Sequence, residues 1–309
     1  MAIATPETNV NFMRVAKPLG ILSIVLVLAS IFLLATKGLN FGLDFTGGTV
    51  VEVGAPEDIS LSVVREALSE GGYDAAVVQH FGSSRDVMVR IPPGESDEPD
   101  QAGLEVFELI GGVVPDLDLR RVEFVGPQVG DELRDQSGLA MLMAMGLMLL
   151  YVWFRFTNKF GVATVAALLH DVIVVLGLFA LFQWSFDLTV LAAVLALIGY
   201  SLNDSIVVAD HIRDDFRNSR MTDPTDIINQ ALNRTLSRTV ITSLTTLLVL
   251  VALYLFGGEI MRGFSMALMA GVVVGTYSSI YVASNVLMLM NVHKEDFLVP
   301  QQEELDEMP

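Results

Sequence analysis

Six stretches of this sequence are apolar over about 20 residues, the length a helix rising 1.5 Å per residue needs to cross ~30 Å of hydrocarbon. They fall near residues 17–36, 137–155, 160–182, 188–209, 236–256 and 263–290. Lipid offers no hydrogen bonds to a bare backbone, so a span must satisfy its own N–H and C=O groups, and these stretches read as helices. The sixth is over-long and is expected to tilt or run out into solvent. The first follows Arg14 and Lys17, as the core of a signal peptide would. "FLLATK" lacks an A-x-A-like cleavage site, so this stretch reads as a retained helix.

The rest of the composition must then be segregated from these spans. The chain is 52% hydrophobic yet carries 36 acidic and 18 basic side chains, a formal net charge of -18. That balance leaves no basic face to neutralise phosphates, which argues against nucleic acid as a partner. The chain has no cysteine, so disulfides and thiolate metal sites are excluded.

Lys and Arg set the orientation. Arg14 and Lys17 precede the first span, Arg155 and Lys159 flank the turn between the second and third, and Arg213, Arg217, Arg220 and Arg234 lie between the fourth and fifth. All fall on one side if both termini are cytoplasmic. The expected order is a cytoplasmic N-terminus (1–16), helix 1 (17–36), a translocated domain (37–136), five helices (137–290) with a cytoplasmic loop at 210–235, and a cytoplasmic tail (291–309). "QQEELDEMP" within that tail has the composition of a disordered segment.

Within 37–136, "GGTVVEVG" is a strand by its β-branched content, and "EDISLSVVREALSEGG" is an amphipathic helix closed by a glycine pair. "AAVVQHF" and "RDVMVRI" form a hairpin across "GSS", "QAGLEVFELIGG" a second helix, and "LDLRRVEFVG" a last strand. The order β-α-β-β-α-β is that of a ferredoxin-like split βαβ unit. The acidic "PPGESDEPD" reads as a solvated loop.

Polar residues inside the spans are the candidates for function. "LLHDVIVVLG" places His170 and Asp171 in the third span, with Asp171 roughly 16 Å deep at 1.5 Å per residue. "IGYSLNDSIVVADHIRD" places Asn203 and Asp204 in the fourth, about 9 Å from its cytoplasmic end by the same rise. Arg238 enters the fifth span at a depth matching Asp204, so the two are candidate partners. An ionised Asp or Arg near a helix centre costs about 2.5–3.5 kcal/mol, and such residues persist when paired or when they line a wet path. Thr235, Arg238, Thr239, Thr242, Thr245 and Thr246 share one helical face, a hydroxyl stripe consistent with a hydrated track. Two readings stand for these residues. In one, Asp204 and Arg238 relay an ion. In the other they form a structural pair, while the threonines bond to carbonyls of their own helix. Gly271 and Gly275 in "GVVVG" read as a small-xxx-small packing face.

Several of these motifs together resemble one family. "GLDFTGGT", with Gly42, Asp44, Gly47 and Gly48, looks like the glycine-pair signature of the SecD/SecF protein-export family, within the resistance-nodulation-division superfamily. "FVGPQVGDELRDQSG", "LLHDVIVVLG", "IGYSLNDSIVVADHIRD", "LSRTVITSLTT" and "GTYSSIYVAS" resemble its later blocks in order, and "GYSLND" and "TYSS" point to the SecF branch. "DHIRD" departs mildly from the common "DRIRE" on the cytoplasmic face. The resemblance implies six transmembrane helices with an inserted ferredoxin-like periplasmic α/β domain, in the bacterial inner membrane. It also implies SecD as a pseudo-twofold partner, and contact with the SecYEG channel, the emerging preprotein and membrane lipid. The implied work is late translocation and release driven by the proton-motive force, with no cofactor beyond a proton or sodium gradient. Asp204 and Arg238 match the family positions tied to ion passage, with Asp171, Asn203 and Thr242 as further candidates.

A half-unit of an efflux transporter is the nearest rival, although the small outer segment leaves little room for a drug pocket. An intramembrane aspartyl protease would need Asp171 and Asp204 at equal depth, whereas the rise places them roughly 7 Å apart in depth. The chain contains no P-loop, HExxH or nucleophile elbow, so standard hydrolase chemistry finds no support.

Overall fold

The apolar stretches fold as helices that outrun their hydrophobic windows. The computed structural model of the protein describes residues 10–93, 99–156 and 158–293. The first long helix is α1 (Ala16–Thr36). Next come β1 (Asn40–Phe41), a single helical turn α2 (Leu43–Thr46), β2 (Gly48–Gly54), α3 (Leu61–Glu70), β3 (Val77–Phe81), β4 (Ser83–Ile91), α4 (Pro99–Gly111) and β5 (Asp118–Val125). The chain then runs through α5 (Pro127–Arg155), α6 (Asn158–Phe182), β6 (Ser185–Phe186), α7 (Leu188–Asn218), α8 (Pro224–Phe256) and α9 (Gly258–Leu289). Among the described residues, 6 helices are long and apolar enough to cross a membrane: α1, α5, α6, α7, α8 and α9. Part of the acidic loop and the tail motif "QQEELDEMP" lie outside the described residues.

The segment 210–235, expected as a loop, is a correction. Only residues 219–223 are non-helical there, because α7 continues to Asn218 and α8 starts at Pro224. Hydropathy marks where a helix leaves lipid, not where it ends. The extensions carry their own apolar face: Ile212 and Phe216 of α7 are fully buried with Ile227, Ile228 and Leu232 of α8, beside Phe156 and Phe160. In water each such side chain contributes about 1.5–3 kcal/mol on burial, enough to hold the two extensions helical. Asp223 caps α8 by accepting from the Thr225 amide at 2.9 Å, with Pro224 opening the helix. Several arginines counted for orientation are paired: Arg155 with Asp210 at 2.7 Å, Arg213 with Asp210 at 3.0 Å, and Arg234 with the buried Asp215.

Contacts divide the chain into two units. One holds α1, α6, α8, α9, the second half of α5 and most of α7. The other runs from β1 into α5 and includes β6 and the first turn of α7. In this second unit the elements β2-α3-β3-β4-α4-β5 follow the order expected from the sequence, and the four strands pair antiparallel as β3-β4-β2-β5. The period-2 alternation decides which face is covered. Val51, Val53, Val87, Val89 and Ile91 pack in one core with Val64 and Leu68 of α3 and Val106 and Ile110 of α4. Val50 and Met88, on the opposite face, meet Leu43 of α2.

The glycine-pair signature is explained by this unit. Gly48 has φ +108, and a Cβ there would lie 2.2 Å from the Ile91 carbonyl oxygen, so no other residue fits the start of β2. Parallel pairing of Asn40 with Ser185 and Phe41 with Phe186 joins β1 to β6, and the Gly42 amide donates to the Phe186 carbonyl at 2.8 Å. Asp44 Oδ2 then accepts from the Leu188 amide at 2.9 Å, while Asp187 Oδ1 accepts from the Val190 amide at 2.9 Å. Two acids thus satisfy orphan donors at the N-terminus of α7, where the helix dipole also favours negative charge.

Candidate functional site

Several polar residues of α6, α7, α8 and α9 meet one another across these helices. Asp171 is wholly buried, at 0% exposure. Its Oδ2 accepts from Ser201 Oγ of α7 at 2.5 Å and from Ser278 Oγ of α9 at 2.7 Å. Its Oδ1 lies 2.9 Å from Nδ1 of the neighbouring His170. The other ring nitrogen of His170, Nε2, is buried without a hydrogen-bond partner among the described residues. Beyond that ring stands Tyr277, centroids 6.1 Å apart, whose hydroxyl donates to the Leu19 carbonyl at 2.7 Å and lies 2.8 Å from Ser23 Oγ of α1. Small residues let α9 approach closely. A Cβ on Gly275 would sit 3.4 Å from Asp171 Oδ2, and one on Gly271 would strike Leu197 at 2.5 Å, which is the packing face read from "GVVVG".

Asp204 is held differently. Thr239 of α8 donates to its Oδ1 at 3.0 Å, and Ser279 of α9 donates to its Oδ2 at 2.6 Å. Among the described residues no ion pair joins it to Arg238. The reason is angular: Arg238 and Thr239 are neighbours in α8, about 100° apart at 3.6 residues per turn. Thr239 faces inward and is buried, which turns Arg238 to the exposed side of the helix. Asn203 is exposed for the same reason beside Asp204 on α7, and Thr242 is exposed with its hydroxyl on the Arg238 carbonyl at 2.9 Å.

The threonine stripe accordingly divides. Thr235, Thr242, Thr245 and Thr246 donate to carbonyls of their own helix, and Thr239 alone among them reaches a carboxylate. A second polar layer lies one turn further along all three helices. Ser243 Oγ of α8 is 2.6 Å from Thr276 Oγ1 of α9, and Tyr200 of α7 donates to Ser243 at 3.4 Å. Asp171 and Asp204 share no hydrogen bond; each takes its own hydroxyl set, unlike a protease dyad sharing a proton.

The residues that organise the site, Ser278 and Ser279, were visible in "GTYSSIYVAS" only as a motif. The signal that finds them is chemical. Two hydroxyls side by side in an apolar span must each find a partner, and adjacent helical positions face different neighbours.

Six long apolar helices, with an α/β unit inserted after the first and two hydrogen-bonded acids among four of them, define a multi-pass membrane protein. The family model for protein export membrane protein SecD/SecF, C-terminal, matches residues 106–293, and that for the SecD/SecF GG motif matches residues 32–55. The chain is similar to the protein translocase subunit SecF of Vibrio alginolyticus, 47% identical with 99% of each chain covered. It is similar also to that of Pseudomonas aeruginosa, 46% identical with 97% of this chain and 98% of the relative covered. Among solved structures it resembles SecDF, a translocon-associated membrane protein from Thermus thermophilus. That match has 38% identity and a TM-score of 0.84, and covers 94% of this chain but 40% of the SecDF chain. A second SecDF structure, in a super-membrane-facing form, matches with a TM-score of 0.68 at 37% identity and the same coverage. The chain therefore belongs to the SecD/SecF family of protein-export membrane proteins, as a SecF-type subunit of the protein translocase.

Proposed function

We propose that this subunit pairs with SecD and draws on a transmembrane proton or sodium gradient to promote late translocation and release of preproteins leaving the SecYEG channel. In this reading the chain sits in the inner membrane with both termini cytoplasmic. The unit inserted between α1 and α5 is a ferredoxin-like periplasmic domain, and the gradient serves in place of any cofactor. The observation that carries the reading is Asp204. It is a carboxylate within an apolar helix, held by two neutral hydroxyls, Thr239 and Ser279, and, among the described residues, by no ion-paired cation within 4.0 Å. Such a group can gain or lose a proton without dismantling a salt bridge, which suits a relay better than a structural pair.

Arg238, Asn203 and Thr242 support the partner. All three face outward at membrane depth on the single chain. An ionised arginine facing lipid near a helix centre costs about 2.5–3.5 kcal/mol, so a second membrane subunit over α7 and α8 relieves a real penalty. The solved SecDF chains, of which this chain spans 40%, have room for such a partner in the same polypeptide. In the complex the guanidinium faces an interface rather than lipid, where Asn203 and a protonatable Asp204 border it. Each charge crossing 100 mV carries about 2.3 kcal/mol, so a few ions suffice to bias a two-state rearrangement.

The test uses membranes containing the complete complex with the channel, and follows release of an exported protein at the outer face with and without an imposed gradient. Asp204→Asn should assemble normally and lose the gradient-dependent part of release. Full gradient dependence in that variant would refute the relay through Asp204.

A further inference from the structure

The two acids are linked by one element. Ser278 and Ser279, consecutive in α9, donate to different carboxylates: Ser278 to Asp171 Oδ2 at 2.7 Å and Ser279 to Asp204 Oδ2 at 2.6 Å. A serine hydroxyl has one proton and two lone pairs, so it donates once. Each of these hydroxyls has a second acceptor already within reach, three residues back in its own helix. Ser278 Oγ lies 3.1 Å from the Gly275 carbonyl, and Ser279 Oγ lies 3.1 Å from the Thr276 carbonyl. Both side chains are fully buried, so water offers no third choice.

We propose that Ser278 and Ser279 are positioning residues that read the charge on the two carboxylates and pass it to the packing of α9. The inference rests on the relay reading given above. When Asp204 is ionised, Ser279 donates to it and draws α9 toward α7. When a proton arrives, the new carboxylic O–H donates to Ser279 Oγ, and the serine proton turns to the Thr276 carbonyl. The proton on the acid comes from the aqueous path, and the serine keeps its own throughout. Ser278 makes the same exchange between Asp171 and the Gly275 carbonyl. Because the residues are consecutive, a turn of α9 that relaxes one hydroxyl alters the distance of the other from its acid.

Other groups face these acids. Toward Asp204 they are Thr239 and Arg238 of α8, the latter at longer range, and Asp171 of α6 as a second acid. Toward Asp171 they are His170 of its own helix, Ser201 of α7 and, through the His170 ring, Tyr277 of α9. The other hydroxyls bonded to these acids, Thr239 and Ser201, each make a single hydrogen bond among those of the described residues, so neither has the serines' pair of alternative acceptors.

The experiment is infrared difference spectroscopy of the full complex in vesicles, following the carboxylic C=O band across pH, with Asp204→Asn and Asp171→Asn to assign the bands. Ser279→Ala removes a hydrogen bond to the charged form of Asp204. It should move the midpoint of that band up by about one to two pH units, from the usual strength of a hydrogen bond to a charged group. Ser279→Thr, which keeps the hydroxyl, should restore it. Ser278→Ala should do the same to the Asp171 band. Thermal unfolding of each variant separates a folding defect from a protonation effect, since a merely structural serine lowers Tm without moving the band. A band of unchanged midpoint and position in both alanine variants would overturn the proposal. Normal loss of coupling in Asp204→Asn with silent serines would refute this inference alone. Bands that shift while release ignores Asp204 would refute the relay reading alone.

Discussion

Replacing Asp171 by asparagine exchanges one oxygen for an amide nitrogen at almost constant volume, and the geometry dictates how the site must answer. Ser201 and Ser278 both donate to Oδ2, so the asparagine oxygen belongs there. The NH2 group then faces His170 Nδ1 at the position where Oδ1 lay 2.9 Å away. Where Asp171 is ionised, its Oδ1 can only accept, and Nδ1 then carries the ring proton. Facing an amide N–H, Nδ1 must accept, and the proton moves to Nε2, which is buried and has no partner among the described residues. A buried N–H without an acceptor costs about 1–3 kcal/mol, and that is the expected destabilisation. Flipping the amide offers no escape, since its NH2 would then meet two hydroxyls and strand the Ser201 proton. The assay is 15N NMR of histidine-labelled protein in detergent, with thermal unfolding alongside. Asp171→Asn should convert His170 from the Nδ1–H to the Nε2–H tautomer and lower Tm. An unchanged tautomer with an unchanged Tm would refute this account of the pocket.

Two further outcomes follow from packing and capping. A Cβ on Gly177 of α6 would lie 2.8 Å from the Ser30 Cα and closer still to its side chain. Gly177→Ala should therefore force α1 from α6 at about 1–3 kcal/mol, measured by detergent unfolding, with Ser30→Gly in the same chain recovering part of the loss. Asp44→Ala removes the acceptor for the Leu188 amide, so hydrogen exchange at the start of α7 should speed up and stability should fall by about 0.5–2 kcal/mol.

Much of this architecture is written in patterns with a single physical reading. A run of apolar residues long enough to cross lipid has no alternative to helix, and all six windows fall on long helices, the last reaching one residue past Leu289. Alternating valines in "TVVEVG" and "DVMVRI" fix both the strands and their buried face, which is why the β-α-β-β-α-β order was legible. Helix ends beyond the membrane were not, because the residues that hold 210–235 helical contact one another across two helices and leave no local mark in hydropathy.

At the site, depth along a helix was legible but azimuth was not. Asp204 and Arg238 matched in depth, yet a single residue's rotation on α8 puts Thr239 inward and Arg238 outward. Periodicity placed both Arg238 and Thr239 on one broad stripe, and only the contact with α7 and α9 chooses between them. Ser278 and Ser279 escaped notice because a small polar residue in a span is cheap when it bonds to its own helix. Their distinction is that each also meets an acid on another helix, a fact of packing rather than of sequence spacing.

The most direct test of the relay is ion flux itself. The complete complex is reconstituted in vesicles holding a pH-sensitive dye, a potential is imposed, and internal pH is followed during translocation in sodium-free and in sodium-containing buffer. The account predicts a translocation-linked flux in the native complex that disappears in Asp204→Asn while the complex stays assembled. Flux of native size through the Asp204→Asn complex, in either buffer, would contradict it.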